Sequence, residues 1–135
     1  MQRPVPAPDQ LTQPFWEAAN SGKLVIQRCA QCSRYFHPPR GLCPDCLSSE
    51  LRFEPASGRG IVYSYTVTHD ARHVAFAEIQ PYAVVIVELE EQPGLVLLSN
   101  MYGDDIERLR PGLPVEVAFE EVAAGWRIPQ FRIAG

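Results

Sequence analysis

The chain has four cysteines, and they fall into two matched pairs: Cys29-Ala30-Gln31-Cys32 and Cys43-Pro44-Asp45-Cys46. A Cys-x-x-Cys turn places two thiolates on one side of a tight bend. Two such turns brought together make a tetrahedral pocket of soft, anionic sulfur, which suits Zn²⁺. Four thiolates leave no open coordination position, so the expected metal is structural. Two disulfides would instead suit a secreted protein, but the sequence has no secretory signal pattern. A redox Cys-x-x-Cys comes singly, near a βαβ pattern, and does not account for two matched pairs. His37 lies between the pairs. It would be a surplus ligand to a filled tetrahedron and is not expected to bind the metal.

The other polar cluster that could do chemistry is His69-Asp70 with Arg72-His73. A histidine beside a carboxylate is a possible general base. No spare cysteine or serine elbow accompanies it, and neighbours on a strand face opposite ways. The stretch reads as a solvated or partner-facing loop, and no catalytic residue is assigned. Arg40 and Arg59 offer planar donors suited to an anion. Gly58-Arg59-Gly60 precedes no helix and lacks the phosphate-loop pattern. Its expected role is a hinge.

These residues must be positioned by a chain of 135 residues, 46% of them hydrophobic. That length suits one domain or a small module fused to a larger one. The longest apolar run, Tyr82 to Val87, is strand-length and far short of the ~20 residues that span a bilayer. A reduced-thiol metal site without a secretory signal points to the cytoplasm. Residues 1–60 carry seven basic and five acidic residues, whereas residues 61–135 carry five basic and eleven acidic. An acidic second half opposes a groove that tracks phosphates.

Along the chain, Pro4, Pro6 and Pro8 alternate in an arm expected to be extended and poorly ordered. A short helix is expected over 11–21, with Thr12 as N-cap and Gly22 just past its end. Leu24 to Arg28 and Tyr35-Phe36 read as the strands of the ribbon. Period-two alternation predicts a strand over 61–68, followed by an apolar strand over 82–90 and a third over 95–101. A helical turn follows at 103–109. Two more strands follow, over 115–120 and 126–133, the last marked as an edge or bulge by Pro129. The result is mainly β: an arm and short helix (1–22), a four-cysteine zinc ribbon (23–54), then a five-stranded OB-fold barrel (55–135).

The order of motifs resembles a known family. It runs Phe15-Trp16-Glu17-Ala18, Gly22-Lys23-Leu24, the ribbon with Phe36 and Arg40 between its halves, and Gly58-Arg59-Gly60. Tyr63-Ser64-Tyr65-Thr66, Pro81-Tyr82, Leu98-Ser99-Asn100 and Val115-Glu116-Val117 complete it. This is similar to the small rubredoxin-like zinc-ribbon plus OB-fold proteins of the DUF35 type. The resemblance implies Cys29, Cys32, Cys43 and Cys46 as zinc ligands. It also implies a non-catalytic subunit beside a thiolase-fold enzyme of acyl-CoA metabolism: a ketothiolase, a sterol-carrier-type aldolase or an acyltransferase. A hot-dog-fold enoyl-CoA hydratase is a further implied partner, and acyl-CoA an implied ligand whose phosphates Arg40 and Arg59 would meet. Glycine often follows each cysteine pair in that family, whereas this chain has Ser33 and Leu47. The competing reading is a single-stranded nucleic-acid binder that stacks bases on Tyr63, Tyr65 and Phe76.

Overall fold

Period-two runs become strands in the computed structural model, which describes residues 3–70, 72 and 74–134. The short helix α1 covers Gln13–Asn20 and is followed by β1 (Val25–Cys29), β2 (Tyr35–Phe36) and β3 (Leu51–Pro55). These three form an antiparallel sheet in the order β2-β1-β3. The second sheet uses β4 (Arg59–Thr68), β5 (Tyr82–Leu89), β6 (Val96–Tyr102), β7 (Pro114–Ala123) and β8 (Trp126–Ile133). A six-residue 3₁₀ segment, Gly103–Arg108, connects β6 to β7.

The order of the second sheet is β6-β5-β4-β7-β8, so its first strand pairs with both its second and its fourth. That is the expected OB arrangement. The end strands β6 and β8 approach across the remaining seam, where the Ser99 hydroxyl donates to the Pro129 carbonyl at 2.9 Å. Pro129 sits on an edge strand, where a missing N–H costs no ladder bond. Along β5 burial alternates strictly, with Ala83, Val85, Val87 and Leu89 inside.

The main core joins these residues to Leu97, Met101, Val115 and Phe131. Phe15 of α1 and Leu24 and Ile26 of the ribbon belong to the same core. Ribbon and barrel therefore share one apolar interior. Full burial of Ile26 alone contributes roughly 1.5–3 kcal/mol. A separate small cluster, Cys29, Phe36 and Cys43, fills the ribbon itself.

Three expectations are corrected. Arg59 and Gly60 lie in strand β4, and Gly58 accepts a hydrogen bond from the Val117 amide at 2.8 Å. The stretch is clamped between strands and is not a free hinge. Thr12 makes no side-chain cap to α1, because its hydroxyl accepts from the Asp9 amide at 3.1 Å. The arm is held at one point, Arg3, which is 8% exposed and whose amide donates to the Val122 carbonyl.

Candidate metal centre

β1 delivers Cys29 to the end of the ribbon, where the chain turns. In the first knuckle Ser33 N–H donates to the Cys29 carbonyl at 3.0 Å, and Cys29 N–H to the Arg34 carbonyl at 2.9 Å. The second repeats the pattern: Leu47 N–H to the Cys43 carbonyl at 3.1 Å, and Cys43 N–H to the Ser48 carbonyl at 2.9 Å. Both turns need a left-handed residue, and Ser33 (φ 67°) and Leu47 (φ 63°) supply it. These are the positions where the sequence lacks glycine.

The turns aim backbone amides at sulfur. Gln31 and Cys32 N–H lie 3.4 Å from Cys29 Sγ, and Asp45 N–H lies 3.4 Å from Cys43 Sγ. Cys29 and Cys46 sulfurs are 3.6 Å apart, as are those of Cys32 and Cys43. All four sulfurs fall within 4.8 Å of one another. A tetrahedron built on Zn–S bonds of about 2.3 Å has sulfurs about 3.8 Å apart, so the set fits the ion closely. Disulfide bonding needs about 2.05 Å, and all four cysteines are free.

Electrostatics reinforces the fit. The Cys32 amide, helped by that of Gln31 and opposed by burial, pulls the Cys29 thiol down to about 6. The Ser48 amide pulls Cys46 in the same direction, but burial and the three neighbouring thiols push it up to about 12. Four sulfurs this close cannot all ionise without a cation among them. Across the mouth, Arg34 Nη1 and Asp45 Oδ2 pair at 3.1 Å, clipping one knuckle to the other.

The other predicted residues scatter. The Gln27 side-chain amide pairs with both backbone groups of Arg40, at 2.6 and 2.9 Å, which leaves the guanidinium exposed. Arg59 Nη2 meets Glu90 Oε1 at 2.8 Å, so its charge is already matched. His69 and Asp70 are exposed, and His73 lies outside the described residues. Tyr63 is 61% exposed, whereas Phe76 stacks on Tyr82 with centroids 5.4 Å apart.

His37 is absent from the sulfur cluster. Its ring packs 5.2 Å from that of Phe15, its Nδ1 is buried and unpartnered, and burial lowers its pKa to about 4. It lines a cavity of about 260 Å³ with Phe15, Trp16, Leu98, Pro129 and Gln130. Sequence reasoning missed this cavity because its walls come from α1, the ribbon loop and the β6–β8 seam. No local pattern signals that convergence.

Comparison with known proteins places the architecture. Residues 16–52 match the family profile of the ChsH2 rubredoxin-like zinc ribbon domain, and residues 53–120 that of the ChsH2 C-terminal OB-fold domain. A scaffold protein of Methanothermobacter thermautotrophicus containing a DUF35 domain is 37% identical over 103 residues, covering 73% of each chain. The chain belongs to the DUF35 family. A solved DUF35 chain, from a structure described as an Ltp2-ChsH2(DUF35) aldolase, superposes with a TM-score of 0.85 at 39% identity. The match covers 95% of this chain and 98% of that one. A probable enoyl-CoA hydratase alpha subunit of Thermomonospora curvata is 40% identical over 132 residues. This DUF35 chain spans 40% of that subunit's length.

Proposed function

We propose that this DUF35 chain is a non-catalytic accessory subunit that docks a thiolase-fold enzyme of acyl-CoA metabolism. An aldolase of the sterol-carrier type is the first candidate, with a ketothiolase or an acyltransferase as the wider class. The observation that carries the reading is the likeness, over nearly the full length of both chains, to the DUF35 chain solved in an aldolase structure. The alpha-subunit relative supports an enoyl-CoA hydratase as a second candidate partner.

In this reading Cys29, Cys32, Cys43 and Cys46 hold one structural zinc, which cross-links the knuckles and leaves no position for substrate. The chain's own residues brace and present surfaces. Arg40, with an exposed guanidinium, is the better candidate for an acyl-CoA phosphate, because Arg59 is already neutralised by Glu90.

Affinity purification from the native host, under gentle conditions, tests the reading. A thiolase-like protein should co-purify in fixed stoichiometry, and the isolated chain should show no thiolase or aldolase turnover. A clean monomer beside an intact candidate enzyme would count against it. So would tight, salt-sensitive binding of single-stranded nucleic acid.

A further inference from the structure

The N-terminal strap carries a buried charge, Arg3, that the scaffold role does not use. Arg3 is 8% exposed. Its guanidinium carbon lies 6.0 Å from the Phe76 ring centroid and 5.9 Å from that of Tyr102. Both distances fall within the range of cation–π attraction. Arg3 Nη2 lies 3.0 Å from Glu120 Oε2. The same nitrogen is buried and forms no hydrogen bond, so charge alone holds the pair. The Tyr102 hydroxyl donates to Glu120 Oε1 and fixes the carboxylate in place. Two aromatic faces and an oriented carboxylate make a seat for a planar cation, which the strap fills imperfectly.

We propose that Phe76, Tyr102 and Glu120 form a guanidinium socket, filled in cis by Arg3 and exchangeable for an arginine on an extended segment of a partner protein. Charge complementarity selects this occupant. Asp105, Glu120 and Glu121 line the adjoining cavity of about 400 Å³, and its one cation, Arg132, is paired with Glu116 at 3.0 Å. Gln130 lines the same cavity, 5% exposed, with both amide atoms unpartnered. A segment flanking the incoming arginine would have polar groups to meet there. Exchange is favoured by the strap's thin attachment. Pro4, Pro6 and Pro8 carry no N–H, and residues 4–8 make no hydrogen bonds among the described residues. Tethering still gives Arg3 a high effective concentration, so the strap is a built-in competitor that raises the threshold for a partner.

The test uses the isolated chain, so its failure leaves the scaffold reading standing. An acetylated, amidated peptide of the strap sequence, Arg-Pro-Val-Pro-Ala-Pro, is titrated by NMR into wild type and Arg3→Ala. The vacated socket should bind at least tenfold more tightly than wild type. A lysine-for-arginine peptide should bind at least tenfold more weakly, and adding Glu120→Gln to Arg3→Ala should abolish binding in a folded protein. Arg3→Met, which keeps the aliphatic stem, repeats the measurement if Arg3→Ala is poorly folded. Equal binding by wild type and the Arg3 variants, or equal binding of the lysine peptide, overturns the proposal. A wild-type dimer that Arg3→Ala dissolves also overturns it, by making a second copy's Arg3 the occupant.

Discussion

The side-chain amide of Gln92 pairs with both backbone groups of Tyr35, accepting from its N–H at 3.0 Å and donating to its carbonyl at 2.9 Å. Gln92 sits in the β5–β6 turn and Tyr35 in β2, so one side chain stands in for a strand and ties ribbon to barrel. Removing it leaves two part-buried backbone groups without these partners, a loss of about 1–3 kcal/mol. Gln92→Ala should lower the denaturant midpoint accordingly. Gln92→Glu should fare no better, because its carboxylate keeps the acceptor but faces the Tyr35 carbonyl. Unchanged midpoints in both variants would remove the tie from the account.

The glycines of β4 and the β5–β6 turn should differ in kind. A Cβ on Gly60 would collide with the Glu88 carbonyl oxygen and sit 2.9 Å from Val87 Cγ1, so backbone must move. Gly94 (φ +81°) has open space around it, and a side chain there meets only conformational strain. Gly60→Ala should cost more than ~2 kcal/mol, within the range of severe single substitutions. Gly94→Ala should cost only up to about 1 kcal/mol, because glycine's unfolded-state freedom offsets part of the left-handed strain. The reverse ranking in urea unfolding would contradict the close β4–β5 approach.

What was legible in the sequence follows from how local each cause is. The Cys-x-x-Cys pairs and the alternation in β4, β5 and β7 are set by nearby residues, so the sulfur cluster and the succession of barrel strands could be read. Arg59 read as part of a hinge because two flanking glycines look flexible in isolation. In the fold Gly60 is required by the Glu88 backbone, 28 positions along the chain. The anchoring of Arg3 by Glu120 and the pinning of Tyr35 by Gln92 depend on pairings 117 and 57 positions apart. No periodicity carries that information.

Leu47 is 69% exposed and left-handed (φ 63°), so it has strain without burial to offset it. A left-handed L-residue costs about 1–2 kcal/mol, of which glycine's extra unfolded-state freedom returns roughly 0.5–1 kcal/mol. Leu47→Gly should therefore raise stability by up to about 1 kcal/mol with metal bound. A loss of stability would mean that the leucine side chain makes a contact worth more than the strain.

His37 sets a pH dependence. Burial lowers its pKa from 6.5 to about 4. Below 6.5 the unfolded chain takes up a proton that the folded one refuses, so stability is complete above pH 6.5 and is lost as pH falls towards 4. The full loss is at most about 3 kcal/mol. Carboxylates also titrate at the lower end of this range, so the informative quantity is the difference between wild type and His37→Phe. That variant should be flatter between pH 6.5 and 4 and indistinguishable in slope above it. Parallel curves would mean that the imidazole charges freely in the folded state.

Zinc removal should loosen the ribbon and spare the barrel. The small Cys29, Phe36 and Cys43 cluster is too slight to hold two strained knuckles alone, and four crowded thiols repel once ionised. The barrel has its own large core, to which Leu24 and Ile26 are bonded by packing and not by metal. Elemental analysis should find about one zinc per chain. Cys32→Ser should fall well below that, and chelation should lower the unfolding temperature. Acid should act in the same direction, because protons compete with the metal for sulfur. Hydrogen exchange should then accelerate across residues 29–51 while the β4–β8 amides stay protected. Full zinc content in Cys32→Ser, or ribbon amides that ignore the chelator, would mean that the sulfurs are not what braces this module.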